Sequence, residues 1–176
     1  EQELSSFCDP SDLTIPIGRG RTLSLTGKID RIDIAHGHAA DYIKIIDYKT
    51  GKNELDPVKI YAGIQLQLLV YMNAALDGLK KHTDRQVLPG AVFYYQLKDS
   101  RIDETAPLPE QQLYEMLEKD LRPSGLVVDD PAVVGALDAK LITESSYKSP
   151  FVSLSTKKDG SLGASSSLMQ PDDFTG

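Results

Sequence analysis

The sequence predicts an α/β domain in which a small mixed sheet, containing an antiparallel hairpin, is flanked by helices. Three observations point there. Two runs with alternating apolar residues, Leu23–Ile34 and Tyr42–Lys49, are separated by a short stretch bearing Gly37 and two histidines, the pattern of a hairpin. A long apolar segment then starts behind Asp56-Pro57. After it comes a run rich in β-formers, Val87–Leu97, with Val92, Phe93, Tyr94 and Tyr95.

Residues 1–22 are polar, carry Pro10, Pro16, Gly18 and Gly20, and read as an extended segment leading into the domain. From Leu23 the alternation is clear, with Leu23, Leu25 and Ile29 on one strand face. The phase then slips by one residue at Asp30-Arg31, and Ile32 and Ile34 become the apolar positions. Such a slip predicts a bulge or bend, a device that re-aims a side chain. Residues 35–40 make the turn, and Tyr42–Lys49 returns antiparallel. Thr50-Gly51-Lys52-Asn53 breaks the strand. Asp56 as N-cap and Pro57 at the first helical position open one helix, Val58–Leu76, ending near Gly78. It is apolar almost all round and should be covered on more than one side. Pro109–Leu121 is a second, amphipathic helix, with Leu113, Met116, Leu117 and Leu121 on one face. Beyond Pro123 the pattern suggests a short strand at Leu126–Val128, a short helix at Pro131–Lys140 and a strand at Tyr147–Leu154. The core therefore spans 23–154, and 155–176 reads as a polar loop or hairpin.

With 176 residues the chain suffices for one domain with a real core. It begins at Glu1 and stops in polar sequence at Gly176, which reads as a piece truncated from a longer protein. No apolar run is long enough to cross a bilayer and no leader pattern appears, so a soluble, cytoplasmic chain without membrane partners is expected. The single cysteine, Cys8, can form neither an internal disulfide nor a cysteine cluster; it reads as a semi-buried apolar residue. Net charge is −7, from 26 acidic and 19 basic residues, which disfavours a free-standing DNA binder. The excess is uneven. Lys28, Arg31, Lys44, Lys49 and Lys52 accompany Asp30, Asp33, Asp41 and Asp47. A bound cation would reverse the field there. No G-x-x-x-x-G-K-[ST] loop or G-x-S-x-G elbow is present, which excludes an ATPase loop or an esterase elbow within this segment.

Ile43, Ile45, Asp47 and Lys49 fall on one face of their strand, because side chains alternate. Two isoleucines lead into a carboxylate and an ammonium at the strand's end. An isolated Asp-x-Lys is usually an ordinary ion pair. Asp30, at the phase break of the preceding strand, turns the balance toward a site. An acidic residue on one strand and Asp-x-Lys on the next form the minimal kit for phosphodiester hydrolysis with a divalent cation: two carboxylates for the ion, a lysine for the phosphate or attacking water. Asp30, Arg31 and Asp33 also read as a solvated hairpin-edge cluster, and Asp33 as a turn residue. Gln67 and Tyr71, four apart, share a helix face with Ile60, Ile64 and Ala74. From the residues alone a local hydrogen bond explains them equally well, and Gln65 rivals Gln67, although helical spacing to Tyr71 favours Gln67. His36 and His38 are expected to be exposed turn residues and His82 a lone surface one.

At Gly27-Lys28-Ile29-Asp30-Arg31-Ile32-Asp33, Ile45-Ile46-Asp47-Tyr48-Lys49-Thr50-Gly51 and the run from Tyr61 to Leu76, the chain resembles the PD-(D/E)xK nucleases. Among them it is most similar to the nuclease domain of the B subunit of bacterial AddAB helicase-nucleases, a relative of the RecB nuclease domain. Gly125-Leu126-Val127-Val128-Asp129-Asp130 and Lys157-Lys158-Asp159-Gly160-Ser161-Leu162 resemble it more weakly. The resemblance implies a restriction-endonuclease-like core. It also implies a Mg²⁺-dependent DNA exonuclease, with Mn²⁺ able to substitute, acting in double-strand-break repair and recombination in the bacterial cytoplasm. DNA and an A-type helicase-nuclease subunit would be its partners. Asp30, Asp47 and Lys49 would be catalytic, with Asp30, Asp47 and the Tyr48 carbonyl holding the metal. Arg31 would buttress a carboxylate or touch phosphate, and Gln67 and Tyr71 would line the site and help position DNA. Two features of the family are missing. No helix before Leu23 supplies its further His or Glu ligand. The four cysteines of its iron-sulfur cluster are absent, so the cluster is expected only in the full-length parent. The isolated segment is accordingly expected to cleave DNA poorly. The alternatives are a non-catalytic docking module of the same kind of complex and a stand-alone restriction-type endonuclease.

Overall fold

A computed structural model describes residues 2–3, 6, 14–51, 54–97, 109–163 and 167–170. Cys8, Lys52 and Asn53 lie outside them. The strands are β1 Gln2–Glu3, β2 Thr14–Gly18, β3 Arg21–Ser24, β4 Lys28–Ile29, β5 Arg31–His36, β6 Ala40–Lys49, β7 Gln86–Gln96, β8 Ser124–Val128 and β9 Leu168–Met169. The helices are α1 Pro57–Tyr61, α2 Gln67–Lys80, α3 Glu110–Leu121, α4 Pro131–Leu137 and α5 Lys140–Thr143. A five-stranded mixed sheet has the order β5-β6-β7-β8-β9, flanked by helices as expected. β5 runs antiparallel to β6, β6 parallel to β7, β7 antiparallel to β8 and β8 parallel to β9. Two further pairs, β1 with β4 and β2 with β3, are antiparallel. Among the described residues no helix is long and apolar enough to cross a membrane.

Alternation in β6 and β7 gives both sheet faces an apolar layer. On one face Ile43, Ile45, Val92, Leu126 and Val128 pack against Leu68, Met72, Ala75 and Leu76 of α2. On the other, Ala91, Phe93 and Val127 meet Val133 and Val134 of α4, Leu141 of α5, and Val152 and Leu154. Pro89 and Gly90 sit inside a central strand, where Pro removes a ladder donor. They are accommodated by a register shift: Ile43 pairs with Pro89, Lys44 with Ala91. Gly90 is the extra residue, and a Cβ there would stand 2.9 Å from the Ile43 carbonyl oxygen.

The structure corrects several sequence expectations. The strand expected at Leu23–Ile34 is three: it changes partner at Asp30, leaving β3 wholly exposed and Ile34 exposed on edge strand β5. The expected helix Val58–Leu76 is two. Asp56 does cap α1 through the Val58 N–H at 2.9 Å, but Gly63, at φ +74°, ends it. Gly63 N–H bonds the Ile60 carbonyl and Ile64 N–H that of Lys59, the paired closure a left-handed glycine permits. The apolar face of α3 is not buried: none of its residues is. Pro131–Lys140 breaks at Asp138, which separates α4 from α5. Tyr147–Leu154 is not one strand because it folds back on itself: Ser149 N–H bonds the Leu154 carbonyl, Lys148 bridges Ser155, and the Ser149 hydroxyl accepts the Phe151 N–H within the turn. From the stretch read as a polar loop, β9 emerges to extend the sheet beside β8.

Candidate active site

The site is assembled where β6 ends. Its buried side chains alternate from Asp41 through Ile43 and Ile45 to Asp47, all facing the α2 side. The apolar run that fixes this phase therefore carries Asp47 inward to 3% exposure. Its Oδ2 is met by the Lys49 ammonium, 2.5 Å away, and by no other partner among the described residues. Oδ1 receives Gln67 Nε2 at 3.3 Å. A carboxylate oxygen buried with a single ammonium for a partner leaves room for a cation to complete its surroundings.

The partner change at Asp30 has a structural purpose. The ladder opens with Arg31 paired to Ile46, so Asp30 lies one residue before it, beside the end of β6 that carries Asp47. The Asp30 Oδ2 accepts the Tyr48 N–H at 2.8 Å, which fixes that carboxylate at the same end of the hairpin.

Lys49 ties the set together. Its Nζ donates to Gln67 Oε1 at 3.0 Å and stands 5.4 Å from the Tyr94 ring centroid. Burial pulls the Lys49 pKa down. The hydrogen bond and charge of Asp47, with smaller help from Tyr94 and Asp30, outweigh it, and the net shift is upward. Gln67 also donates to the Tyr71 hydroxyl at 3.0 Å, so the i, i+4 pair acts as one unit across Asp47 and Lys49. Gln65 is elsewhere. It accepts the Asp56 N–H at 2.8 Å and donates to the Glu54 carbonyl at 3.1 Å, pinning the loop before α1.

Arg31 is not brought to Asp47. Its Nε meets Asp33 Oδ1 at 2.8 Å, while Asp33 Oδ2 meets Lys44 at 2.9 Å. Hydrogen bonds to Asp33 and then to the Tyr48 side chain raise the Arg31 pKa further. These groups occupy the face away from Asp47, since Ile32 between Arg31 and Asp33 packs on the α2 side. His36 is exposed, yet its Nδ1 lies 3.0 Å from Asp41 Oδ1. His82 Nδ1 lies 2.8 Å from the Gly78 carbonyl, closing the end of α2.

Donor chemistry at the hairpin's end is all oxygen: two carboxylates with the backbone between Asp47 and Lys49. Among the described residues, no group of three or more His, Cys, Asp or Glu stands together. Two carboxylates fit a hard cation that keeps most of its waters, as Mg²⁺ does, and do not fit a closed zinc site.

Residues 2–135 match the PD-(D/E)XK nuclease superfamily. This chain is a member of that superfamily. Similar proteins include the B subunits of ATP-dependent helicase/deoxyribonucleases from several bacteria. That of Clostridium acetobutylicum is 37% identical over 154 residues, 88% of this chain and 13% of the relative. That of Clostridium perfringens is 34% identical over 166 residues, 94% of this chain and 14% of the relative. That of Pelotomaculum thermopropionicum is 36% identical over 174 residues, 96% and 15%. The chain thus spans about one seventh of the length of these relatives.

Within this PD-(D/E)XK domain, sequence reasoning missed Tyr94 and the pair Asp41–Arg85. Tyr94 stands beside Asp47 in the β6–β7 register and beneath the Lys49 ammonium. Its signal was the alternation Val92, Tyr94, Gln96, which puts it on the same face as Asp47. Arg85 donates from Nε to Asp41 Oδ1 at 2.8 Å and from a terminal nitrogen to the Gly37 carbonyl at 2.6 Å, clamping the hairpin turn to the start of β7. No local pattern announces a contact across 44 residues.

Proposed function

We propose that this chain is the nuclease module of a bacterial helicase-nuclease, a Mg²⁺-dependent DNA exonuclease acting in double-strand-break repair and recombination. The observation that carries the reading is the buried Oδ2 of Asp47, which has the Lys49 ammonium as its sole partner among the described residues, with the Asp30 carboxylate held on the neighbouring Tyr48 N–H. Asp30, Asp47 and the Tyr48 carbonyl would hold Mg²⁺, with Mn²⁺ as a substitute. When bound, the ion supplies Lewis acidity at a phosphoryl oxygen and a more acidic water. Lys49, its pKa raised, stays an ammonium at neutral pH. It orients or activates the water and offsets charge on the pentacovalent phosphate. Gln67 and the buried Tyr71 hold Lys49 and Asp47 in register, and the exposed Gln67 faces the DNA. Arg31 is a supporting residue that steadies Tyr48, whose N–H in turn steadies Asp30. The A-type subunit of the complex, an iron-sulfur cluster in the full-length parent and a cytoplasmic setting belong to the same reading, supported by the likeness to helicase/deoxyribonuclease subunits.

The test is Lys49→Ala in the full-length protein. DNA degradation is expected to vanish while ATP-driven unwinding persists, since no motor motif lies in this segment. Degradation at the parental rate would reduce Lys49 to a structural ion pair and favour a non-catalytic docking module.

A further inference from the structure

A groove of about 820 Å³ opens at the same end of the sheet as Asp47 and Lys49, and none of the site residues lines it. Its near wall is continuous with the site. Gln96, in that wall, pairs in register with Lys49, and Ser124 pairs with Tyr94, which itself pairs with Asp47. Two strand spacings, about 10 Å, therefore separate the Asp47 and Ser124 backbones. At the groove's rim the Leu55 N–H donates to the Ser124 hydroxyl at 2.9 Å.

The far walls come from the end of α3 and from the irregular segment around Lys148. Lys119, Arg122 and Lys148 bring three positive charges there, against two negative ones from Glu54 and Asp120. In a chain of net charge −7, a cationic balance at this place is a local reversal. Lys119 and Lys148 are exposed, whereas Arg122 is held by the Pro150 carbonyl at 3.2 Å, so its charge is fixed in the wall. Serine hydroxyls at 153 and 167 add small polar groups, the kind that meet phosphate oxygens. The volume lies within the roughly 300–1,000 Å³ that a drug-sized molecule fills, room for a short stretch of one strand and not for a duplex.

We propose that this groove carries the sugar-phosphate backbone of the single DNA strand that flanks the scissile bond, with Lys119, Arg122 and Lys148 as its phosphate contacts. The proposal rests on the nuclease reading and gives it a direction: the strand runs from the end of β6 across β7 and β8. Lys119, Arg122 and Lys148 are positioning residues, since none reaches Asp47 or Lys49.

The experiment uses the full-length protein with a photocrosslinking phenylalanine in place of Lys148, and in place of Lys80 at the end of α2 as control. Irradiation with oligothymidylate in EDTA is expected to crosslink the strand at 148 and not at 80. In parallel, Lys119→Ala/Lys148→Ala is assayed on oligothymidylate and on the p-nitrophenyl ester of thymidine 5′-phosphate, which occupies only the scissile position. The double variant should hydrolyse the ester as the parent does. For the oligonucleotide, the slope of log KM against log salt should flatten by about 1.4, at about 0.7 for each single-strand phosphate that is no longer neutralised. Absence of a crosslink at 148, or an unchanged salt slope, overturns the groove. A crosslink to duplex but not to oligothymidylate overturns the single-strand assignment. If the parent cleaves neither substrate while the crosslink forms, the nuclease reading fails and the groove stands.

Discussion

Asp47 holds a carboxylate where water scarcely reaches, and its Oδ2 has only the Lys49 ammonium for company. Such a pair contributes little net stability, because the cost of desolvating two charges rivals their attraction. On the function proposed above, the pair is a half-built cation site. Asp47→Asn should therefore leave the fold intact and abolish the response to metal. In the full-length protein, Mg²⁺ is expected to slow hydrogen exchange at the amides of residues 47–49, and in the variant to leave it unchanged. Nuclease activity should fall by two orders of magnitude or more, the scale on which removal of an electrostatic partner of the transition state is felt (roughly 10²–10³). Metal protection persisting in the variant would place the ion elsewhere. Gln67 contributes differently: it touches Asp47, Lys49 and Tyr71 at once, so it sets their orientation and carries no charge of its own.

At the scale of elements, the site depends on the chain stopping and restarting between α1 and α2. Gly63 makes the stop, with φ +74° and open space around a would-be Cβ. An alanine there meets no clash, only the cost of the left-handed conformation, about 1–2 kcal/mol. Gly63→Ala is thus expected to destabilise the domain by about 1 kcal/mol or, by relaxing into one continuous helix, to swing Gln67 away from Asp47. In the second case nuclease turnover should drop while the β6–β7 core keeps its hydrogen-exchange protection. Full turnover with unchanged stability would mean that the break between the helices is incidental. Gly125 is required for the opposite reason: a Cβ would run into the Val92 carbonyl oxygen, so β8 reaches β7 only without one.

Across the whole molecule, two buried carboxylates outside the site lock distant parts together. Asp41 joins the hairpin turn to β7 through His36 and Arg85. Asp138, between α4 and α5, accepts the Tyr147 hydroxyl at 3.0 Å and the Lys140 N–H at 3.1 Å. For Asp41 the hydrogen bond from His36, with Arg85, outweighs burial and holds the pKa low. For Asp138 burial pushes upward, but Ser149, Lys140 and Tyr147 pull harder, and the net shift is again downward. A depressed folded pKa gives stability that is fully present above the unfolded value, about 3.9, and is lost as pH falls through the folded one. The urea midpoint should be flat from pH 7 to pH 5 and fall below about pH 4. Asp138→Asn should start lower and show a shallower acid decline. An acid limb of parental steepness in the variant would show that Asp138 is not among the groups responsible.

Sequence alone determined what depends on local rules. Period-two alternation fixed β6 and placed Asp47 and Lys49 on the face of Ile43 and Ile45. Helical spacing chose Gln67 over Gln65 as the partner of Tyr71, and Asp56-Pro57 announced the start of α1. The slip at Asp30 was legible as a break in phase. That the break is a change of strand partner was not, because partnership depends on which strands meet. Nor could the pattern show that Ile34 and the apolar face of α3 stay exposed, since apolar spacing says which side chains share a face and not what covers it. The edge strand β9, the clamp of Arg85 on Asp41 and the place of Tyr94 under Lys49 all arise between residues far apart in the chain. Only the packed sheet decides such contacts, because the free energy that selects them is gained when distant surfaces leave water together.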